Sequence, residues 1–179
     1  MICRRAAHFV LLLSAIVVPG SRAQMLGKSG VECEKWIGLV DPELKGRARK
    51  PATDKEVMQA IQCLLTCRGN MKIAGFGGAT RAEVSQSFPP ATVELAALFY
   101  ISYLFEGRWD HADGVALCDE NSINPEGAIS AAYGGYLKWF AQIRKLGIAE
   151  ARRRHLSPLS GTGFQWYGCC GQADPPARQ

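Results

Sequence analysis

Three carboxylates and a histidine lie close together near the middle of this 179-residue chain. Within the stretch FEGRWDHADGVALCDEN, residues 105–121, they are Glu106, Asp110, His111 and Asp113. Paired carboxylates can act on a glycosidic bond by acid–base chemistry, and clustered carboxylates can bind calcium or another cation. A helix junction explains the same residues, because acids are stabilised at the positive end of a helix that starts there. All three interpretations stay open, and the helix junction is favoured.

The spacing around His111 does not match a metal motif. Helical metal ligands recur three or four residues apart, and Gly114 and Val115 stand at those positions. Asp119 and Glu120 add oxygen ligands only if the chain doubles back. We therefore predict no metal and no cofactor.

Other catalytic and nucleotide-binding motifs are missing from the sequence. Gly75 and Gly77 begin a glycine-rich stretch, but Thr80 stands where a dinucleotide-binding loop needs its third glycine or alanine. The sequence has no Gly-x-Ser-x-Gly motif of the kind that positions a nucleophilic serine. These patterns favour a binding or structural role over an enzymatic one.

The first 23 residues have the layout of a secretory signal peptide. Arg4 and Arg5 precede an apolar run at 9–18, and small residues end the segment at Ala23. The run is about half of the roughly 20 residues that a transmembrane helix needs. We predict cleavage after Ala23, a periplasmic or secreted location, and no transmembrane segment in the mature chain.

Cleavage also changes the net charge. The full chain has 21 basic and 16 acidic residues, and removing Arg4, Arg5 and Arg22 leaves 18 basic residues. A mature charge of +2 does not point to a nucleic-acid partner. The basic runs at 45–50 and 152–155 are interpreted as solvated faces.

Six cysteines remain after the predicted cleavage, and an oxidising compartment favours disulfides among them. Excluding bonds between the adjacent pair Cys169–Cys170 and between Cys63 and Cys67, on one helix, leaves ten pairing schemes. The helix with Cys63 and Cys67 is expected to be bridged twice to distant segments. The predicted disulfide cysteines are Cys33, Cys63, Cys67, Cys118, Cys169 and Cys170.

Helix signals dominate the rest of the chain. The capping box Thr53-Asp54-Lys55-Glu56 predicts one helix start, and the apolar run from Leu95 to Phe105 predicts a helix buried on all sides. Asn124 as cap, with Pro125 in the first turn, predicts another helix that ends at Gly147. A short further helix is expected before Pro158.

We therefore predict an all-α fold, a compact disulfide-stapled bundle of about four to six helices. The predicted parts are an irregular N-terminal arm at 24–52, a helical domain at 53–171 and a flexible tail at 172–179. No stretch alternates with period two for long enough to predict a sheet.

The pattern Tyr103-x-x-x-Gly107-x-Trp109-x-x-Ala112 resembles the middle of a tetratricopeptide repeat. It covers about a tenth of the chain, and no second copy follows. The resemblance implies a local helix–turn–helix and no peptide-binding solenoid.

We expect an exported helical module that binds a protein or a glycan. Phe164, Trp166 and Tyr167 can stack on a sugar or pin the C-terminal segment to the core, and pinning is favoured. Alternatives are a small extracytoplasmic hydrolase or cation-binding protein that uses Glu106, Asp110, His111 and Asp113, and a secreted inhibitor or toxin-like factor.

Overall fold

A computed structural model describes residues 30–75, 90–107 and 115–166. The described part is helix-rich and contains one small antiparallel sheet. The predicted signal peptide and the tail at 172–179 lie outside the described residues. No described helix has the length and apolar character needed to cross a membrane. In chain order the elements are α1 (Gly30–Ile37), a 3₁₀ helix (Pro42–Arg47), α2 (Asp54–Leu64), a 3₁₀ turn (Leu65–Cys67), α3 (Val93–Glu106), β1 (Leu117–Cys118), α4 (Ala128–Leu146), α5 (Ile148–Arg153) and β2 (Gln165–Trp166).

Helix α3 is the central element, as its sequence predicts. Nearly all of its side chains are buried, and it packs against α2, α4 and α5. Thr92 caps its start by accepting a hydrogen bond from the amide of Leu95, at 3.4 Å. Gly107 ends it in the left-handed region, at φ 75°, where glycine has no steric penalty. The buried helix is confirmed with nearly the predicted bounds.

Helix α2 begins at the predicted capping box. The Thr53 hydroxyl accepts from the amide of Glu56 at 3.2 Å. The Glu56 carboxylate reaches back to the amide of Ala52 at 2.8 Å, which lowers the pKa of that carboxyl. The reciprocal pair satisfies exposed amides at the helix start.

The N-terminal arm is not irregular, which corrects the sequence prediction. Its described part forms α1 and the 3₁₀ helix, and Trp36, Leu39 and Val40 are buried in the core. Asp41 accepts from the amide of Glu43 at 3.0 Å and so caps the 3₁₀ helix. The prediction failed because this segment is short and rich in glycine and lysine, whereas its helix is stabilised by packing against α2.

Helix α4 starts later than its sequence predicts. Gly127 is the residue before it, and Asn124 has a positive φ of 51°. The Asn124 side chain accepts from the amide of Leu117 at 3.0 Å, so it stabilises β1 and does not cap α4. Apolar residues at helical spacing form a stripe along α4 that faces the core: Tyr133, Tyr136, Phe140 and Ile143 are buried and Ile129 is half-buried.

The two-stranded sheet is a departure from the predicted all-α fold. Leu117 pairs with Trp166 and Cys118 pairs with Gln165. Each strand has two residues, which is too short for an alternating pattern to be visible in sequence. Tertiary contacts of the buried Leu117 and Trp166 stabilise this pairing.

Candidate functional site

The predicted acidic cluster is described only at Glu106. Its side chain is exposed at the end of α3, while Asp110, His111 and Asp113 lie outside the described residues. The helix–turn–helix implied by the resemblance also continues beyond Gly107 into residues that are not described. The arrangement of these four side chains therefore stays a prediction.

Asp119, a suggested extra oxygen ligand, has a structural role. One carboxylate oxygen accepts from the amides of Asn121 and Ser122, both at 2.8 Å. These bonds lower the pKa of Asp119 and close the turn that follows β1. Within residues 30–75, 90–107 and 115–166, no group of three or more potential ligands is placed to hold a metal ion.

One predicted disulfide joins α1 to α2. Cys33 and Cys63 are bonded, with their Cα atoms 5.3 Å apart and 30 residues of separation in sequence. Cys118 is also disulfide-bonded, through a partner outside the described residues. Cys169 and Cys170 lie outside them as well.

Cys67 departs from the predicted second bridge. Its thiol is free and buried. The α-helix ends at Leu64, and Cys67 lies in the following 3₁₀ turn, buried in the core. Burial, with a smaller effect of Asp41, raises the pKa of Cys67 to about 12. A thiol in this state is unreactive at neutral pH.

The aromatic residues near the C-terminus pin β2 to the core. Trp166 is buried, and its indole N–H donates to the hydroxyls of Ser102 at 3.0 Å and Tyr136 at 3.2 Å. Its ring packs edge-on against Phe99, with centroids 4.9 Å apart. Trp166 is therefore unavailable for stacking on a sugar. Tyr167 lies outside the described residues.

A groove of about 520 Å³ lies between α4 and the loop that follows α5, and we call it the α4 groove. Its floor is the face of α4 opposite the buried apolar stripe. The side chains around it are a mixture of polar and apolar groups and come from both elements. The lining residues are Ala131, Gly134, Gly135, Lys138, Trp139, Gln142, His155, Leu156, Ser157, Pro158, Ser160, Gly161 and Thr162.

The loop wall of this groove is fixed in place by hydrogen bonds. The Trp139 indole N–H donates to the carbonyl of Leu156 at 3.2 Å. The Thr162 hydroxyl donates to the carbonyl of Leu159 at 2.6 Å and accepts from the amide of Phe164 at 3.2 Å. The first bond joins the loop to α4 and the other two fix the loop internally, which is a preorganised arrangement.

Two glycines in the floor have different roles. A Cβ at Gly135 would overlap the Thr162 side-chain methyl and approach the carbonyl oxygen of Pro158 to 3.2 Å. At Gly134, no atom of the described residues lies within 4 Å of the Cβ position. The close approach to this glycine pair is thus made at Gly135, by the loop after α5. Gly134 leaves the helix backbone open to the groove.

A second concavity, of about 360 Å³, adjoins the α4 groove. It is lined by Phe105, Glu106, Arg152, His155, Leu156 and Ser157. His155 lines both spaces and has a positive φ of 52°, a conformation uncommon outside glycine. Glu106 therefore shares a concavity with the second histidine of the predicted mature chain.

A third concavity, of about 370 Å³, lies at the start of α4. Its polar groups already have structural partners. Glu94 accepts from the amide of Gly69 at 2.7 Å, and Arg68 contacts the Tyr133 ring and donates to the Ser130 hydroxyl at 3.3 Å. These contacts connect the end of α2 to α3 and α4.

Sequence reasoning missed the α4 groove. A signal was present, since Ala131, Gly134, Lys138 and Gln142 repeat at helical spacing on the face away from the apolar stripe. Glycine on a solvent-facing helix surface lowers the stability of the helix, so its presence there needs another explanation. Only the tertiary structure shows that the loop after α5 covers this face of α4.

Comparison with protein-family models, curated proteins and solved structures finds no match.

Proposed function

We propose that this protein is an exported, disulfide-stabilised, helix-rich binding module that holds a saccharide in the α4 groove. The observation that carries the proposal is the lining of the groove. Gln142, Ser157 and Ser160 bring amide and hydroxyl groups together around an open helix floor. Neutral groups that both donate and accept hydrogen bonds suit a ligand rich in hydroxyls.

The apolar part of the groove is compatible with a sugar ring. Leu156 lies beside the polar groups and is half-buried, and Pro158 and Trp139 contribute to the wall although both are buried. A pyranose has weakly apolar faces as well as hydroxyls, so a mixed lining matches it better than a wholly apolar ligand. Since the loop wall is preorganised, binding would cost little conformational entropy.

The experiment is a screen of secreted protein against an oligosaccharide array, followed by titration calorimetry of the ligands found. Gln142→Ala is expected to weaken binding by about fivefold, because one hydrogen-bonding group is removed. Gln62→Ala is the matched control, since Gln62 is an exposed glutamine on α2 that does not line the groove. Equal loss in both variants, or no array ligand, overturns the proposal.

The proposed export and cleavage of the chain are tested separately from ligand binding. Intact mass of the secreted protein is expected to correspond to a chain that starts at Gln24. A secreted chain that retains residues 1–23 contradicts this part of the proposal.

Hydrolysis is the second candidate function, favoured by one observation. Glu106 and His155 line the same concavity beside Ser157, so an acid, a base and a hydroxyl share one space. Glu106→Gln is expected to abolish any hydrolysis of chromogenic glycosides or esters while leaving saccharide affinity in the α4 groove unchanged. Hydrolysis that persists in Glu106→Gln rules out this candidate.

A further inference from the structure

The ionisable side chains that line the α4 groove are both basic. Among the described residues of the lining they are Lys138, on α4, and His155, on the loop. No carboxylate lines the groove in the part of the chain that the structure describes. The charge of the lining therefore favours an anionic group on the ligand.

The surrounding elements have the same sign of charge. Residues 127–166 contain six lysines and arginines and a single acid, Glu150. That acid is neutralised by bonds from Arg153 at 2.6 Å and Arg154 at 2.6 Å. Lys145 lies three residues beyond Gln142, so it extends the basic charge along the same side of α4.

Glu106, a described acid outside these elements, lines a separate space. That space is the second concavity, which shares His155 with the α4 groove, and Glu106 does not line the groove itself. Arg152 is used to stabilise the end of α3, where it donates to the carbonyls of Leu104 and Phe105. Among the lysines and arginines of the described residues, Lys138 is thus the one that lines the groove and is placed to meet a ligand there.

We propose that the ligand of the α4 groove is a carboxylate-bearing saccharide, an oligomer that contains uronic acid or a similar acidic sugar. Lys138 would pair with the carboxylate, and the neutral amide and hydroxyl groups would bind the sugar hydroxyls. This inference rests on the proposed function and specifies its substrate class. A free anion such as phosphate would leave most of the neutral groups unused. An acidic peptide would bind through its carboxylates alone, and competition by such a peptide in the test below would contradict the proposal.

The test compares oligomers of mannuronate and galacturonate with carboxyl-reduced forms of the same oligomers. Each reduced form differs by the loss of the charged group alone. We expect the acidic oligomer to bind at least about fivefold more tightly at low salt, and this advantage to shrink as salt screens the charge. Equal affinity for the two forms overturns the inference and leaves the proposed function standing. No binding of either form, together with no ligand on the array, overturns both.

Variants assign the carboxylate preference to its residue. Lys138→Gln is expected to lower affinity for the acidic oligomer by about fivefold with no change for the reduced oligomer. Lys138→Arg retains the charge and should retain binding. Lys55→Gln makes the same change of net charge at an exposed position on α2, away from the groove, and should have no effect. If Lys55→Gln weakens binding equally, or if poly-glutamate displaces the acidic oligomer at the same concentration, the proposal is wrong.

Discussion

At the scale of single residues, Gly134 and Gly135 have different roles. Gly134 lies open to the ligand groove, whereas Gly135 is a packing contact. Both lie in the middle of α4, where glycine costs about 1 kcal/mol relative to alanine. Gly135→Ala should destabilise the fold because the new methyl overlaps Thr162. Gly134→Ala should stabilise it by about 0.5–1 kcal/mol, because the space is open. Urea unfolding of the two variants measures the change in the free energy of unfolding, which is expected to have opposite signs.

A substitution at Gly134 also tests whether the α4 groove binds the ligand. Gly134→Ala places a methyl on the floor and is expected to weaken saccharide binding although the protein becomes more stable. A more stable protein with unchanged affinity would mean that Gly134 does not face the ligand.

The lowered pKa of Glu150 predicts that the folded protein loses stability in acid. Hydrogen bonds from Arg153 and then Arg154 lower its pKa from 4.5 to about 2. Because the folded-state pKa is depressed, the stabilising effect is present above pH 4.5 and is lost as the pH falls towards 2. Carboxyl NMR titration of the folded protein is expected to give a midpoint near 2 for Glu150. Glu150→Gln should unfold with a shallower pH dependence over that window. A midpoint above 4 would show that these surface bonds are not formed in solution.

At the scale of elements, Arg152 connects α5 to the end of α3. Its guanidinium donates to the carbonyls of Phe105 at 2.6 Å and Leu104 at 3.0 Å, and lies 3.3 Å from the Asp54 carboxylate. The carbonyls at the end of a helix lack partners within it, and the helix dipole favours a cation there. One side chain thus links three helices.

Replacing Arg152 should therefore destabilise the protein. Arg152→Ala is expected to lower the free energy of unfolding by about 2 kcal/mol, through loss of two charge-assisted hydrogen bonds. Arg153→Ala is the control, since its pair with Glu150 is exposed to solvent and such pairs contribute little to stability. Chemical denaturation compares the two variants, and equal effects would contradict the role assigned to Arg152.

At the scale of the whole molecule, the Cys33–Cys63 bridge holds the N-terminal helix on the core. Closing a loop of 30 residues raises the free energy of the unfolded chain by about 3.6 kcal/mol. Replacing both cysteines with alanine is expected to lower the free energy of unfolding by about that amount. Reducing agent should then have a smaller effect on the double variant than on the parent. A loss below 1 kcal/mol would indicate that packing of Trp36 and Leu39 suffices to hold α1.

Some parts of this structure follow from short-range sequence patterns. The start of α2 at Thr53, the almost entirely buried α3 and the end of α4 at Gly147 are where the sequence predicts them. Each depends on local physics: a side chain that caps nearby amides, an apolar surface that must be buried, and a glycine that ends a helix. The Cys33–Cys63 bridge also belongs to the set of predicted pairings.

Other features depend on contacts between residues far apart in the chain. Helix α1 and the pairing of Leu117 with Trp166 are stabilised by distant partners, so their local sequences do not predict them. The buried free thiol of Cys67 results from the turn at the end of α2 and the core around it. The α4 groove exists because a loop some twenty residues later packs on the outer face of a helix, and local periodicity contains no information about that approach. The sequence alone determined where most helices form, and the tertiary structure decided which of their outer faces could hold a ligand.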